Sequence, residues 1–391
     1  MNLGADESLK ASGAAPSAGF RPNVFAEAVW PVAVALLSRA VLAGLIFCVR
    51  HSVPLNPAYA WATDAFGPDG VVLDGLVRWD AWSYLKIAEK GYLGDGHEAF
   101  FPVLPLLLRG VGTMVGGPVV AGVLLSNVAF VVDAVLIYAF ARQTLSVVAS
   151  RRAVVFFVVH PSTIFFSSIY TESIFVLLAT SSLLLARRGR IASASALACV
   201  ATATRMPGVA LMPAIALYAL DRVRLRGWRL RLGDVGNFLC VALVPLGLVL
   251  FAWHLKARVG DAFAFMHAGH LWGRTLAPPW VAFENFFAYR GPIVGFNWSE
   301  AVVVVLAIVG AGLSFRRLEL PLAVYSAVCL LLPLSSGMLS SAQRYSATVV
   351  PLYLVAALVS RRPAVQFALL TVFGTAAVYT SMLFALRYWA G

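Results

Sequence analysis

The chain has 391 residues, of which 60% are hydrophobic and only 12% are charged, and its mean hydropathy is +0.83. Soluble domains carry about 25% charged residues, so the composition excludes a soluble globular protein and predicts an all-α polytopic membrane protein. The net charge of +12 comes mostly from arginines that lie between apolar runs. Membrane topology and anionic lipid explain such arginines, so membrane lipids are expected partners and nucleic acid is not.

Short motifs exclude several further classes. The four cysteines lie inside apolar runs and form no CxxC pair, so neither a disulfide nor a zinc site is predicted. The chain has no P-loop, GxSxG or HExxH sequence, which leaves P-loop ATPases, elbow hydrolases and zincins without support. His267 and His270 have metal-ligand spacing, but no acidic partner is expected nearby. We interpret them as loop histidines and predict no metal.

The first quarter of the chain contains a tail, a span and a long loop. Residues 1–25, rich in Ala, Ser and Gly, predict a disordered cytoplasmic tail. The apolar run at about 25–48 is long enough for a first transmembrane helix and has no clear signal-peptide cleavage site. A polar loop covers residues 50–98. The stretch 99–116 contains two prolines and Arg109, which favours an interfacial or re-entrant segment.

The rest of the chain predicts further spans between arginine-rich linkers. They lie at about 119–141, 153–169, 172–186, 235–255, 299–315, 318–334, 346–360 and 364–386. The stretch 191–220 is interrupted by Arg205-Met206-Pro207, which predicts two short helices meeting there. A second long loop covers 257–298. The total is about eleven spans in one membrane domain, residues 26–391, without a repeat of the inverted-transporter type.

Basic residues are distributed unevenly between the connecting segments. Five short linkers, 142–152, 187–190, 221–234, 316–317 and 361–362, hold 15 arginines in 33 residues, whereas the two long loops hold 7 Lys or Arg in 91 residues. The positive-inside rule therefore predicts short linkers in the cytoplasm and long loops outside. With 99–116 re-entrant, the predicted outer helix ends carry Asp80, Glu172, the Arg205 break and Gln343-Arg344. Such convergence predicts a site at the outer leaflet.

The most charged stretch, residues 78–92, predicts a short amphipathic helix at the membrane surface. Trp79, Trp82, Leu85 and Ala88 recur every three residues, which predicts one shared side, and tryptophan favours the interface. Asp80 lies near the start of this helix. Two roles fit it equally from spacing alone: an N-cap, or a carboxylate acting as a base at the membrane surface.

Three other ionisable residues have competing interpretations. Arg205, deep in an apolar stretch, is an anion binder or an arginine that reaches the interface. Arg344 is an anion binder or a helix-end anchor. Glu172 follows Thr171 and either joins a site or only favours a helix N-terminus that Thr171 caps.

Several segments resemble one known family. They are Arg78-Trp79-Asp80, Ile87-Ala88-Glu89-Lys90-Gly91-Tyr92, Ala99-Phe100-Phe101-Pro102, Pro161-Ser162-Thr163-Ile164-Phe165-Phe166 and Tyr170-Thr171-Glu172-Ser173-Ile174-Phe175. In order and spacing they resemble the PIG-V family, which comprises GPI mannosyltransferase II and its bacterial relatives, with the GT-C glycosyltransferase fold. The resemblance covers mainly residues 75–210, and His160 replaces an asparagine frequent in the family.

The resemblance implies a multi-pass cell-membrane enzyme whose active site faces outside. It would transfer mannose, with inversion, from polyprenyl-phosphate-mannose to a lipid-linked or glycan acceptor, without another cofactor. Asp80 matches the first-loop aspartate that acts as general base. Expected substrate-binding residues are Arg78, Trp79, Glu98, Tyr170, Glu172, Arg205, Gln343 and Arg344.

Two alternatives remain open from the sequence. One is a GT-C enzyme that uses another polyprenyl-linked sugar, such as arabinose. The other is a transporter of lipids or lipid-linked sugars, which also needs buried arginines and a lipid-facing groove. A transporter has no clear need for Asp80 on an amphipathic helix at the outer surface, and this residue separates the two classes.

Overall fold

The protein is all-helical throughout the residues that the structure, a computed structural model, describes: 24–59, 70–288 and 298–390. The predicted all-α class is therefore confirmed. The predicted disordered tail lies outside the described residues except for its last two, which already belong to the first helix.

The described residues of the N-terminal half form nine α-helices in chain order. They are α1 (Val24–Ser52), α2 (Val71–Leu76), α3 (Asp80–Lys90), α4 (Val103–Val115), α5 (Pro118–Ala141), α6 (Val147–Val158), α7 (Glu172–Arg187), α8 (Ile191–Thr202) and α9 (Leu211–Leu225). A short 3-10 helix, Met206–Ala210, joins α8 to α9. The predicted break at Arg205 is thus confirmed.

The described residues of the C-terminal half form nine more α-helices. They are α10 (Leu232–Ala242), α11 (Leu246–Val259), α12 (Ala264–His267), α13 (Val281–Ala288), α14 (Trp298–Arg317), α15 (Leu320–Leu334), α16 (Ala342–Ser346), α17 (Val350–Val359) and α18 (Pro363–Ala385). The short helices α12 and α13 lie in the second long loop. His267 contacts Asp261 at 2.6 Å, so the expectation that this histidine has no acidic partner nearby is wrong.

Within the part of the chain that the structure describes, five helical segments are long and apolar enough to cross a membrane: Glu27–Ser52, Pro118–Ala141, Met206–Leu225, Leu232–Val259 and Pro363–Ala385. The predicted total of about eleven spans remains a prediction. The predicted continuous span at 153–169 is wrong, because α6 ends at Val158 and a 3-10 helix, Thr163–Phe166, follows Pro161. Proline cannot donate the backbone hydrogen bond that would continue the helix.

Small residues let the central helices approach closely. Gly247 on α11 lies against α8, where an added Cβ would come within 2.0 Å of the Cys199 carbonyl oxygen. A Cβ added to Gly208 would come within 2.6 Å of the backbone of Ala201. Helix association in membranes depends on such close packing, because lipid tails are as apolar as leucine. The contacts fix α8, and with it the turn that carries Arg205.

Helix α4 supports the re-entrant interpretation of 99–116 by its length. It has 13 residues, and at 1.5 Å per residue it extends about 20 Å, less than the roughly 30 Å hydrocarbon core of a bilayer. The turn at Gly116 and Gly117 has positive φ values of 94° and 119°, which suit glycine, and leads directly into α5. That residues 99–116 do not cross the membrane remains a prediction.

The predicted surface helix exists as α3, but its predicted apolar stripe is wrong. Trp79 precedes the helix and Trp82 is 44% exposed, whereas the buried side consists of Ala81, Tyr84, Ile87 and Ala88. A helix turns once every 3.6 residues, so a strict three-residue spacing drifts by about 60° at each step. Positions separated by nine residues therefore point to opposite sides.

The topology leads to a labelling prediction. Single cysteines replacing Leu93 and Leu276, which are 56% and 87% exposed in the two long loops, should react with an impermeant thiol reagent in intact cells. The background would carry alanine at the four native cysteines. A matched cysteine at Leu230, 68% exposed in an arginine-rich linker, should react only after lysis. The reverse pattern would contradict the topology.

Candidate active site

Four charged side chains from four separate segments meet at one point. Arg344 of α16 contacts Asp80 of α3 at 2.8 Å and Glu172 of α7 at 3.0 Å. Arg205, in the turn after α8, contacts the same Glu172 oxygen at 2.7 Å. The sequence analysis singled out all four, and the structure joins them in one chain of ion pairs: Asp80–Arg344–Glu172–Arg205.

This cluster is buried and its formal charges cancel. The exposed fraction of the side chain is 1% for Glu172, 7% for Arg205, 8% for Arg344 and 16% for Asp80. Charges removed from water are tolerated only when they are paired, and Glu172 at the centre is paired twice. Neither arginine reaches towards the interface as an unpaired anchor. Asp80, the most exposed member, is the one that can meet a substrate.

The structure decides against a capping role for Asp80. Asp80 is the first residue of α3, and Trp79 occupies the N-cap position. This helix start has no side-chain capping hydrogen bond. Instead Oδ2 accepts from Arg344, while Oδ1 has no partner among the described residues. The hydroxyl of Tyr170 accepts from the Asp80 backbone N–H at 3.3 Å and donates to the Arg78 carbonyl at 3.2 Å. Asp80 is thus held by its backbone and keeps one carboxylate oxygen free.

Backbone strain accompanies the two segments that carry Asp80 and Arg344. Trp79 has φ 52° and Ser341 has φ 68°, a region that costs non-glycine residues energy and persists only where surrounding contacts impose it. Trp79 is held between Tyr59 and Trp389, with ring centroids 4.8 and 5.5 Å away. Ser341 precedes α16, and the buried carboxylate of Glu300 lies close to the first backbone N–H groups of this helix.

Thr171 precedes α7 as predicted, but the prediction that it caps this helix is wrong. It occupies the N-cap position without a side-chain capping bond. Its side chain instead lies beside Tyr84 of α3. Glu172, the first residue of α7, directs its carboxylate to two guanidinium groups rather than to its own helix.

Aromatic rings cover the arginines. The guanidinium of Arg344 lies 5.1 Å from the ring centroid of Tyr170 and 5.3 Å from that of Phe165, and Arg205 lies 4.6 Å from that of Tyr345. Such cation–π contacts hold the planar groups in place. Beyond their ion pairs, each arginine keeps N–H groups that donate to no described residue. The site can therefore receive an anion.

Tyr345 is surrounded by positive charge. Arg274, from the second long loop, donates to its hydroxyl at 3.3 Å. Burial alone would raise the pKa of Tyr345, but the charges of Arg274, Arg205 and Arg344 lower it to about 8. The second loop thus contributes a third guanidinium beside the cluster.

The other predicted binding residues support the site from outside. Arg78 directs its side chain to Asp74, which also pairs with Arg50 at 2.9 Å, and only its carbonyl faces the cluster through Tyr170. Glu98 accepts from the backbone of Gly94 and Gly96, which organises the loop before α4.

Two predicted residues contact the C-terminal segment 386–390. Trp79 packs on Trp389, and Gln343 donates Nε2 to the Ala390 carbonyl at 2.9 Å. The indole N–H of Trp79 and Oε1 of Gln343 are buried without a partner among the described residues. Both residues hold the segments that bear Asp80 and Arg344.

Sequence reasoning missed three residues beside the cluster. Tyr84 is four residues after Asp80 on α3, so helical spacing was a usable signal for it. Tyr345 directly follows Arg344, but adjacency alone does not reveal its neighbours. Arg274 lies in a long loop with no local pattern, and only the folded chain brings it to Tyr345.

A family model described as mannosyltransferase (PIG-V) matches residues 24–224, just over half of the 391-residue chain. This chain belongs to the PIG-V family. The stated resemblance is thereby confirmed. The matched part of the PIG-V chain contains Asp80, Glu172 and Arg205, whereas Arg344 lies beyond it.

Individual relatives match over shorter stretches. The PIG-V chain is 32% identical over 176 residues to "GPI alpha-1,6-mannosyltransferase 2" of Homo sapiens, covering 40% of this chain and 36% of the human protein. It is 30% identical over 182 residues to the Mus musculus protein of the same name, with the same coverages. For "GPI mannosyltransferase 2" of Chaetomium globosum the identity is 29% over 146 residues, 32% of this chain and 30% of the fungal protein. The matches span about a third of each relative.

The central position of Glu172 predicts a large loss of stability on its neutralisation. Glu172→Gln leaves Arg205 without its carboxylate and Arg344 with one instead of two, and breaking a buried pair costs about 3–5 kcal/mol. The thermal unfolding temperature in lipid nanodiscs should fall markedly. Glu89→Gln, at an exposed residue of α3 without an ion pair, is the control. Equal unfolding temperatures would contradict the structural role.

The lowered pKa of Tyr345 predicts a visible titration. The difference in tyrosinate ultraviolet absorbance between the wild type and Tyr345→Phe should show a midpoint near pH 8, below the usual value of about 10. Positive charge favours the anionic phenolate, so Arg274→Gln should move the midpoint upward. A midpoint near pH 10 in the wild type would show that the arginines do not act on Tyr345.

Proposed function

We propose that the protein transfers mannose from polyprenyl-phosphate-mannose to a lipid-linked or glycan acceptor at the outer face of the membrane, with Asp80 as general base. The observation that carries the proposal is the free Oδ1 of Asp80, on a carboxylate fixed by Arg344 at the edge of a buried charge cluster. Membership in a mannosyltransferase family supports the reaction type. Names of relatives that specify GPI mannosyltransferases support mannose as the sugar.

In the proposed reaction an acceptor hydroxyl attacks the anomeric carbon of mannose. Its proton passes to Oδ1 of Asp80, a new C–O bond forms, and the bond to the phosphate oxygen breaks with its electron pair. Polyprenyl phosphate leaves, and the single displacement inverts the anomeric centre. The Arg344 contact keeps Oδ2 occupied and so directs Oδ1 to the hydroxyl. General-base catalysis requires such placement within hydrogen-bond reach of the proton.

The arginines would stabilise the leaving phosphate. Arg205 and Arg344 retain N–H groups without protein partners beside a buried ion-pair chain. Guanidinium matches the geometry of phosphate oxygens, and donors already in place stabilise developing charge without reorganisation. The departing phosphate gains negative charge where the site is richest in positive groups, including Arg274. Glu172 balances the arginines before substrate arrives.

Replacing Asp80 tests the proposal. Asp80→Asn keeps the size of the side chain but removes the base, so turnover of labelled polyprenyl-phosphate-mannose should fall by roughly 10²–10⁴. Donor binding should persist, because both arginines remain. Asp95→Asn, a partly exposed acid of the same loop, is the matched control and should retain activity.

Two outcomes would contradict the proposal. Near-normal turnover by folded Asp80→Asn would move the base elsewhere, with Glu172 and Glu98 the next residues to test. Translocation of a lipid-linked sugar without any transfer of mannose would favour the transporter class.

A further inference from the structure

A groove with mainly apolar walls lies beside the active site. It forms a cavity of about 670 Å³ between the C-terminal end of α3, α4, α8 and α11. Its walls include Leu106, Val200 and Leu250, which are 63%, 42% and 50% exposed. Since α11 belongs to one of the long apolar segments, these exposed apolar side chains are suited to contact lipid chains. The groove is therefore suited to an apolar ligand that enters from the bilayer.

Basic side chains line the same groove. Lys90, Arg109, His254 and Arg258 all contribute to it. A Cβ added to Gly91 would lie 3.7 Å from Nη2 of Arg258, so this guanidinium lies beside the end of α3. Arg109 donates Nε to the Ala88 carbonyl at 2.7 Å.

Among the described residues that line the groove, none is acidic. The ion pairs formed by described residues include none of Lys90, Arg109 and Arg258. This distinguishes the groove from the active site, where Arg205 and Arg344 both contact a carboxylate. Three cations beside an apolar channel are complementary to a lipid whose head carries more than one negative charge.

The groove and the active site share two structural elements. Helix α3 carries Asp80 at its first residue and Lys90 at its last, about 15 Å apart along the helix axis. Ala203 lines the groove and precedes Arg205 by two residues. A lipid phosphate that leaves the arginines of the active site therefore finds a second set of cations along the same helix.

We propose that this groove binds the polyprenyl phosphate released by the reaction, as a product site distinct from the ion-pair cluster. The inference rests on the proposed function, which supplies this product. A phosphate monoester carries about −1.5 to −2 charges at neutral pH, whereas the phosphodiester of the donor carries a single charge. Three uncompensated cations therefore favour the product lipid over the donor. Holding the carrier there clears the active site for the next donor.

Binding of a labelled short-chain polyprenyl phosphate to the full chain in phosphatidylcholine nanodiscs tests the proposal. The double variant Lys90→Gln/Arg258→Gln removes two charges. Neither side chain forms a hydrogen bond or an ion pair with a described residue, so the fold should persist. Affinity should fall at least tenfold. Arg316→Gln/Arg361→Gln removes two exposed cations at other helix ends and should bind like the wild type. Polyprenol, which lacks the phosphate, should bind far more weakly than polyprenyl phosphate.

Several results would overturn the groove assignment. Unchanged affinity in Lys90→Gln/Arg258→Gln would place the phosphate elsewhere, and an equal loss in the control pair would reduce the effect to overall charge. Equal competition by phosphatidic acid would make the groove a general phospholipid site. Binding is measured without sugar transfer, and Asp80→Asn should retain it. Failure of the proposed mannosyl transfer with intact, groove-dependent binding would therefore count against the reaction alone.

Discussion

The ion pairs of Glu172 with two arginines are the constraint on which the rest of the site depends. Glu172 is nearly inaccessible to water and contacts Arg205 and Arg344 through one oxygen. Without this carboxylate, two buried guanidinium groups would repel each other, and neither could be kept beside Asp80 at an acceptable cost. Asp80 completes the neutralisation while remaining the most exposed member. Under the proposed function, the same arrangement would hold a carboxylate within reach of a substrate and keep cations ready for its phosphate.

Strain and packing hold the two segments that carry Asp80 and Arg344. Trp79 and Ser341 adopt positive φ values directly before α3 and α16. At Trp79 two aromatic rings pack against the side chain, and at Ser341 the buried carboxylate of Glu300 lies close to the backbone of the following turn. The energy stored in these two residues is compensated by the surrounding contacts. Side-chain positions in the cluster are therefore set by backbone geometry as much as by the ion pairs.

Sequence reasoning found the participants of the site because charge in an apolar chain is expensive. Asp80, Glu172, Arg205 and Arg344 were all recognisable in this way. Their pairing was not, because the four residues come from segments separated by 33 to 264 positions. The interruption of helix at Arg205 was predicted from proline. The predicted ends of α6 were wrong, since hydropathy reports apolar runs and not where the backbone stops being helical. The predicted buried side of α3 was also wrong, because a three-residue spacing does not follow one side of a helix. Arg274 carried no local signal at all.

The contacts of residues 386–390 have a consequence for biosynthesis. Trp389 packs on Trp79, and the Ala390 carbonyl accepts a hydrogen bond from Gln343. Asn56 donates its backbone N–H to the Leu386 carbonyl. The ribosome delivers the family-matched part of the chain first, with Asp80, Glu172 and Arg205 already inserted. Arg344 and the wall formed by Trp389 are synthesised later. Until then the carboxylates and Arg205 have an incomplete set of partners, so a nascent chain paused at residue 224 would hold three members of the charge cluster in the bilayer without the fourth.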